Sequence, residues 1–167
     1  MILSIETGFG QFSVCTFVDD AVQDFYKSEE LHKPAEDLLP VIEEIVHDYS
    51  TIKAIACNIG PASFTGLRIG VVTANALGFA NNIPLIGVTS LQAVYKRDNV
   101  AQVAVNANRG EVYYQEFPNG KPCLKLITEF EPANPPDASD IAHVAWQKFV
   151  DQDFDKQLTP LYVRASV

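Results

Sequence analysis

Short apolar runs broken by polar or glycine-bearing turns open the chain. "ILSIE" (2–6) leads into Thr7–Gly8–Phe9–Gly10, "FSVCTFV" (12–18) follows, and "AVQDFYKS" (21–28) comes after Asp19–Asp20. Connections this short predict an antiparallel meander. Pro34 then stands where a helix can begin, because the N–H it lacks would be unpaired there. Leu38, Leu39, Ile42, Ile45, Val46 and Tyr49 recur at helical spacing, so residues 34–50 read as a helix with one buried face. Pro40 falls inside it, as a kink or in its first turns.

The pattern changes at "IKAIACNIG" (52–60), an unbroken apolar run of the kind covered on both faces. A helix follows to about Asn81, then a second buried strand, "IPLIGV" (83–88), and a short helix, "SLQAVYKR" (90–97), with Ser90 as a plausible N-cap. The order β-β-β-α-β-α-β-α predicts a mixed sheet with helices on its faces. Three further strands are expected in "VAQVAVNA", "EVYYQEF" and "KPCLKLITEF", joined by turns at Asn108–Arg109–Gly110 and Pro118–Asn119–Gly120. A Pro-rich loop at 131–139, a helix near 138–151 and a last strand, "PLYVR" (160–164), complete the chain. Residues 1–97 and 98–167 thus read as two related lobes, the second smaller.

The stretch "NIGPASFTGLRIG" (58–70) between a buried strand and a helix carries the candidate chemistry. It is not a P-loop: Gly60 and Gly66 are one residue too far apart and Leu67 replaces the lysine. It is not a nucleophile elbow, since Pro61 and Thr65 stand where glycines should flank Ser63. Backbone N–H groups at the helix start could hold an anion, or Ser63 or Thr65 could satisfy them as an N-cap. Gly66, Gly70, Ala74 and Gly78 recur every four residues and form one stripe of small side chains. Each glycine inside a helix costs about 1 kcal/mol relative to alanine, and close approach of another backbone would offset that. The stripe can meet the chain's own sheet or a second chain; spacing leaves both open. Arg68 lies in the first helical turn, against the macrodipole, and calls for solvation or for an acid such as Glu6 or Glu111.

Charge and composition narrow the classes. A net charge of −9, with 21 acidic against 12 basic residues, disfavours independent binding to nucleic acid or anionic lipid. No apolar window approaches about 18 residues, and "MILSIETG" reads as a strand rather than a signal peptide, so a cytoplasmic protein is expected. Cys15, Cys57 and Cys123 fit no CxxC pattern, and the first two read as reduced core residues. His32, His47 and His143 form no HxxxH or HExxH pair, which excludes a histidine-pair metal site on one helix.

"ILSIET", "GPASFTGLRIG", "GVTSLQA", "NANRGEVYY" and "PLYVR", in this order, resemble the TsaB (YeaZ) family. The resemblance runs through most of the chain, and the middle motif is the most specific. It implies an actin/Hsp70-like (ASKHA) α/β fold of two lobes with RNase-H-like mixed sheets, here with a reduced second lobe. It also implies a non-catalytic scaffold in the complex that adds the threonylcarbamoyl group to adenosine 37 of tRNA. The expected partners are a TsaD-like catalytic paralogue and, in the larger complex, a TsaE-like ATPase. A weak homodimer is expected when the chain is alone, and tRNA is met only through the complex.

By this resemblance Gly66, Ile69, Gly70, Thr73, Ala74, Leu77 and Gly78 would form the interface, with the 34–50 helix beside them. No cofactor and no metal are expected. Vestigial cofactor candidates are Glu6, at the strand-1 aspartate position of active relatives, with Ser63, Thr65 and Arg68. Glu6 is one methylene too long to hold Mg²⁺ in the aspartate's geometry. Pro34–Ala35 stands where the family often has His-Ser or His-Thr, and Asn106 replaces a common acidic residue. A kinase-like nucleotide-binding enzyme and a glycoprotease-like peptidase are the alternatives, testable by nucleotide titration and by a casein assay with zinc.

Overall fold

Tight turns set the first layer. Asp19 and Asp20 both adopt positive φ, at 50° and 62°, the twist that suits a tight hairpin. They join β2 (Gln11–Val18) to β3 (Ala21–Lys27), and β1 (Ile2–Phe9) pairs antiparallel with β2 through the turn at Gly10. The computed structural model describes residues 1–29 and 34–163.

After α1 (Pro34–Ile45), β4 (Ala54–Gly60) pairs parallel with β1. After α2 (Phe64–Asn81), β5 (Leu85–Thr89) pairs parallel with β4. The sheet order is β3-β2-β1-β4-β5, the RNase-H-like arrangement that the resemblance implied. Alternation along the strands sends Leu3, Ile5, Val14, Ile55 and Cys57 to one face, under Leu38 and Ile42 of α1 and Val71 and Ala74 of α2.

The opposite face carries Ile2, Cys15, Phe17, Ala54, Ala56 and Ile86. It is covered by α4 (Ala138–Val150) through Ala138, Ile141, Ala142 and Ala145. Three alanines on that inner side let the helix lie close to the sheet. A helix from the second half of the sequence therefore completes the layer built by the first half. Between them α3 (Ser90–Asp98) passes to an antiparallel sheet of β6 (Gln102–Asn108), β7 (Glu111–Glu116) and β8 (Cys123–Leu126). Leu91 and Val94 of α3 pack there on Val103, Val105 and Tyr113.

Local readings are corrected at several points. The first helix ends at Ile45, and Tyr49 lies in a separate 3-10 turn capped by Asp48. Pro40 sits inside α1 on its exposed side, where water reaches the interrupted backbone. The cap of α3 is Thr89, in a reciprocal capping box with Gln92. Ser90 instead donates its buried hydroxyl to the Pro61 carbonyl at 2.7 Å. The strand expected over "KPCLKLITEF" shrinks to Cys123–Leu126, followed by a 3-10 turn. Residues 160–163 form no strand, although the Leu161 N–H donates to the Ile59 carbonyl at 2.6 Å. Arg164 and His32 lie outside the described residues. Cys15 and Cys57 are buried free thiols and Cys123 is exposed.

Candidate functional site

Glu6, Thr7 and Gly8, at the end of β1, interlock with the stretch that starts α2. Thr7 points to the α2 side and donates its hydroxyl to the Gly66 carbonyl at 2.7 Å. The Ser63 N–H donates to the Gly8 carbonyl at 3.0 Å. A Cβ at Gly66 would run into the Thr7 carbonyl, and one at Gly70 into the Thr7 hydroxyl. Further along, a Cβ at Gly78 would lie 2.7 Å from Leu85 Cδ2. The small-residue stripe is thus the seat of α2 on its own sheet.

The structure divides the expected interface set between two surroundings. Gly66, Gly70, Ala74 and Gly78 are buried in the core and have no surface to offer a second chain. Ile69, Thr73 and Leu77, from the same set, are half-buried on the flank of α2. The side opposite the glycines is apolar and exposed: Val72 is 65% accessible and Phe79 92%, with Ala76 between them. On α1, Leu39 is 45% accessible. Alpha-helical periodicity missed this face because α2 is apolar all round, so no polar side marks where solvent begins. At the helix's C-terminal end a groove of about 840 Å³ opens, lined by Ala76, Phe79, Asn82, Pro84, Asp155 and Lys156.

The remaining flank carries the chain's last described segment. The Asn75 side chain bonds Leu158 twice, donating to its carbonyl at 3.0 Å and accepting from its N–H at 2.9 Å. The Leu161 carbonyl fills the space where Gly60, at φ 108°, would carry a Cβ. Arg68 needs no acid. Its guanidinium lies 3.8 Å from the centre of the Phe64 ring, and its Nε donates to the Tyr162 hydroxyl at 3.1 Å. The expectation of Glu6 or Glu111 as its counter-charge is corrected accordingly.

Glu6 points to the opposite side of the sheet from Thr7, and only 1% of it is accessible. One oxygen, Oε1, accepts from the Gly8 N–H at 2.6 Å and from the Asn58 amide at 3.0 Å. Asn58 Oδ1 in turn accepts the Gly60 N–H at 2.8 Å. Strand register sets Lys27, Ser13 and Glu6 in one row, with Asn58 next to Glu6. The N-terminus of α4 seats over this row, its Ala138 N–H donating to Ser13 Oγ at 2.9 Å. Burial raises the Glu6 carboxyl to about 7, against the two donors. Asp137, the N-cap of α4, adds to the rise, and Lys27 opposes it.

Of the four vestigial candidates, Ser63 holds the N-cap position of α2, but its side chain makes no cap bond, contrary to the cap reading. Thr65 is exposed in the first turn. Glu6 is buried, and Arg68 is engaged on the tail flank, so the four do not converge on one point. Asn58, Thr7, Asn75 and Tyr162 escaped sequence reasoning because their partners are distant in the chain. Among the described residues no group of three or more metal-donor side chains gathers, and no helix is long and apolar enough to cross a membrane.

The five-stranded order with helices on both faces defines an α/β protein with an RNase-H-like mixed sheet. The model of one family, "TsaD: tRNA N6-adenosine threonylcarbamoyltransferase", matches residues 30–131. The chain belongs to this family, among its TsaB (YeaZ) members. It is 32% identical over 126 residues to the tRNA threonylcarbamoyladenosine biosynthesis protein TsaB of Escherichia coli K12, covering 70% of this chain and 54% of that one. With the protein of the same name from Buchnera aphidicola of Schizaphis graminum it shares 29% over 129 residues, 70% of this chain and 60% of the other. The chain therefore spans a little over half the length of these relatives. In fold it is similar to YeaZ from Pseudomonas aeruginosa, with a TM-score of 0.79 at 21% identity over 96% of this chain and 98% of that one. A second Pseudomonas aeruginosa structure, of a protein described as similar to peptidase YeaZ, gives 0.83 at 20% identity over 98% and 99%.

Proposed function

We propose that this chain is a non-catalytic subunit of the machinery that forms threonylcarbamoyladenosine in tRNA, and that it works by holding a TsaD-type paralogue on the outward face of α2. The observation that carries this reading is that face itself. Phe79 and Val72 stand in solvent on a helix whose other side is locked onto the sheet by its glycines. Covering two such side chains is worth roughly 1.5–3 kcal/mol each, and a rigid helix loses little freedom on docking. Ile69, Thr73 and Leu77 border the same face, and Leu39 of α1 extends the exposed apolar surface. Support for the lack of catalysis comes from Glu6, whose accepting oxygen is taken up by the chain's own Gly8 and Asn58.

In this reading a TsaE-type ATPase joins the larger complex, tRNA is met through the complex, and the protein acts in the cytoplasm. Alone, the chain self-associates weakly through the same face. Co-expression with a TsaD-type protein and sizing of the purified material tests it. A 1:1 complex that Phe79→Glu with Val72→Glu abolishes is expected. Recovery of the two proteins as separate species, or a complex indifferent to the double variant, overturns it.

A further inference from the structure

The hydrogen bonds around Glu6 form a continuous line from the inside of one sheet face to the start of the helix on the other. Glu6 Oε1 takes the Gly8 N–H and the Asn58 amide. Asn58 fixes Gly60, and Gly8 fixes Ser63. Gly60 and Ser63 are the two ends of the loop that aims α2. Thr7, between Glu6 and Gly8, holds Gly66 in the first turn. Three consecutive residues of β1 therefore set the loop, the cap position and the first turn of one helix. We infer that Glu6 is a positioning residue for α2, and that protonation of its carboxyl is transmitted through Gly8 and Asn58 to the seating of that helix.

The chemistry follows from the acceptor. An ionised carboxylate makes charge-assisted bonds to both donors and draws them in. The neutral acid binds them more weakly and gives its other oxygen a proton to donate. The change at Oε1 is felt by Gly8 directly and by Gly60 through the rigid amide of Asn58. The charged and titratable groups facing Glu6 are few. Asp137, from α4, opposes ionisation, and Lys27, from β3, favours it. Cys57, beside Asn58 on β4 but pointing to the α2 side, has its thiol pushed up by burial and by Glu6. From α2 none does, because Arg68 is held by Phe64 and Tyr162. With the carboxyl raised to about 7 by burial, the change falls within the range a cell can reach.

What α2 does with its seating rests on the proposed function; that it responds at all does not. The test is an amide NMR titration of the full chain between about pH 5 and about pH 9. In the wild type, Gly8, Gly60, Ser63, Gly66 and Gly70 are expected to share one midpoint. In Glu6→Gln, which keeps the shape without the proton, that midpoint vanishes. In Asn58→Ser, Gly8 keeps it and Gly60 loses it. Persistence of the shared midpoint in Glu6→Gln overturns the inference, as do shifts confined to Gly8 or no transition in this range. Should either variant fail to fold, hydrogen-exchange protection of the first turn of α2 in the wild type decides; equal protection on both sides of the midpoint overturns it. Failure to form a complex with a TsaD-type partner at any pH would count against the proposed function and leave the NMR result standing.

Discussion

Thr7 and Gly66 meet edge to backbone: the Thr7 hydroxyl donates to the Gly66 carbonyl at 2.7 Å, and Thr7's own carbonyl occupies the space where Gly66 lacks a side chain. This contact seats a run of helix-weakening glycines directly on β1. It also divides α2 into a side that must stay small for the fold and an exposed side on which the fold does not depend.

Substitutions on the two sides should behave oppositely. Gly70→Leu strikes Thr7 and, as overpacking, should cost about 1–3 kcal/mol or more of stability. Phe79→Glu, on a residue 92% accessible, should stay within about 0.5 kcal/mol of wild type. Urea unfolding of the isolated chain checks both, and an unaffected Gly70→Leu would refute the described seat.

Glu6 should make the fold less stable as pH rises. Its carboxyl is raised from 4.5 to about 7 in the native state, so the native chain binds the proton more tightly than the unfolded one. That contribution is complete below about pH 4.5 and is lost progressively up to about pH 7, on the order of 3 kcal/mol in all. Unfolding measured at intervals across this range should show the decline in wild type relative to Glu6→Gln. Parallel curves for the two proteins would contradict the assignment.

Release of the last described segment should follow loss of Asn75. Asn75→Ala removes two hydrogen bonds to Leu158 and leaves its backbone groups to find water, costing about 1–3 kcal/mol. Faster proteolysis or hydrogen exchange at residues 158–163 is the expected sign. Tyr162→Phe, which removes only the acceptor of Arg68, should have a smaller effect, because the Phe64 ring still holds the guanidinium.

Thiol reactivity should separate one cysteine from two. Cys15, raised to about 12, and Cys57, raised further, are kept protonated by burial, whereas Cys123 is exposed. Ellman's reagent should therefore modify one thiol in the native chain and three after denaturation. Rapid modification of a second thiol under native conditions would disprove the packing around β2 and β4.

The order and type of the strands and helices through α4 were legible in the sequence because they rest on local signals; the strand expected at 160–164 was not formed at 160–163. Short polar and glycine-bearing connections marked the meander, unbroken apolar runs marked the two parallel strands, and four-residue spacing marked the stripe on α2. The site was legible only in part. Glu6 and the 58–70 stretch drew attention, but their relation did not, because nothing in residue spacing says that Glu6 lies beside Asn58.

By itself, then, the sequence determined that this chain would form a mixed sheet with a glycine-striped helix leaving a buried strand. Periodicity and steric freedom are properties of neighbouring residues. Only tertiary structure decided which way that helix faces, that its glycines rest on Thr7 and Leu85, and that Arg68 pairs with rings rather than an acid. Those outcomes depend on parallel strand pairing between segments about fifty residues apart, and on a tail that folds back over them. A helix that is apolar on every side gains from burial whichever way it turns, so the small residues, by permitting the closest approach, select the face.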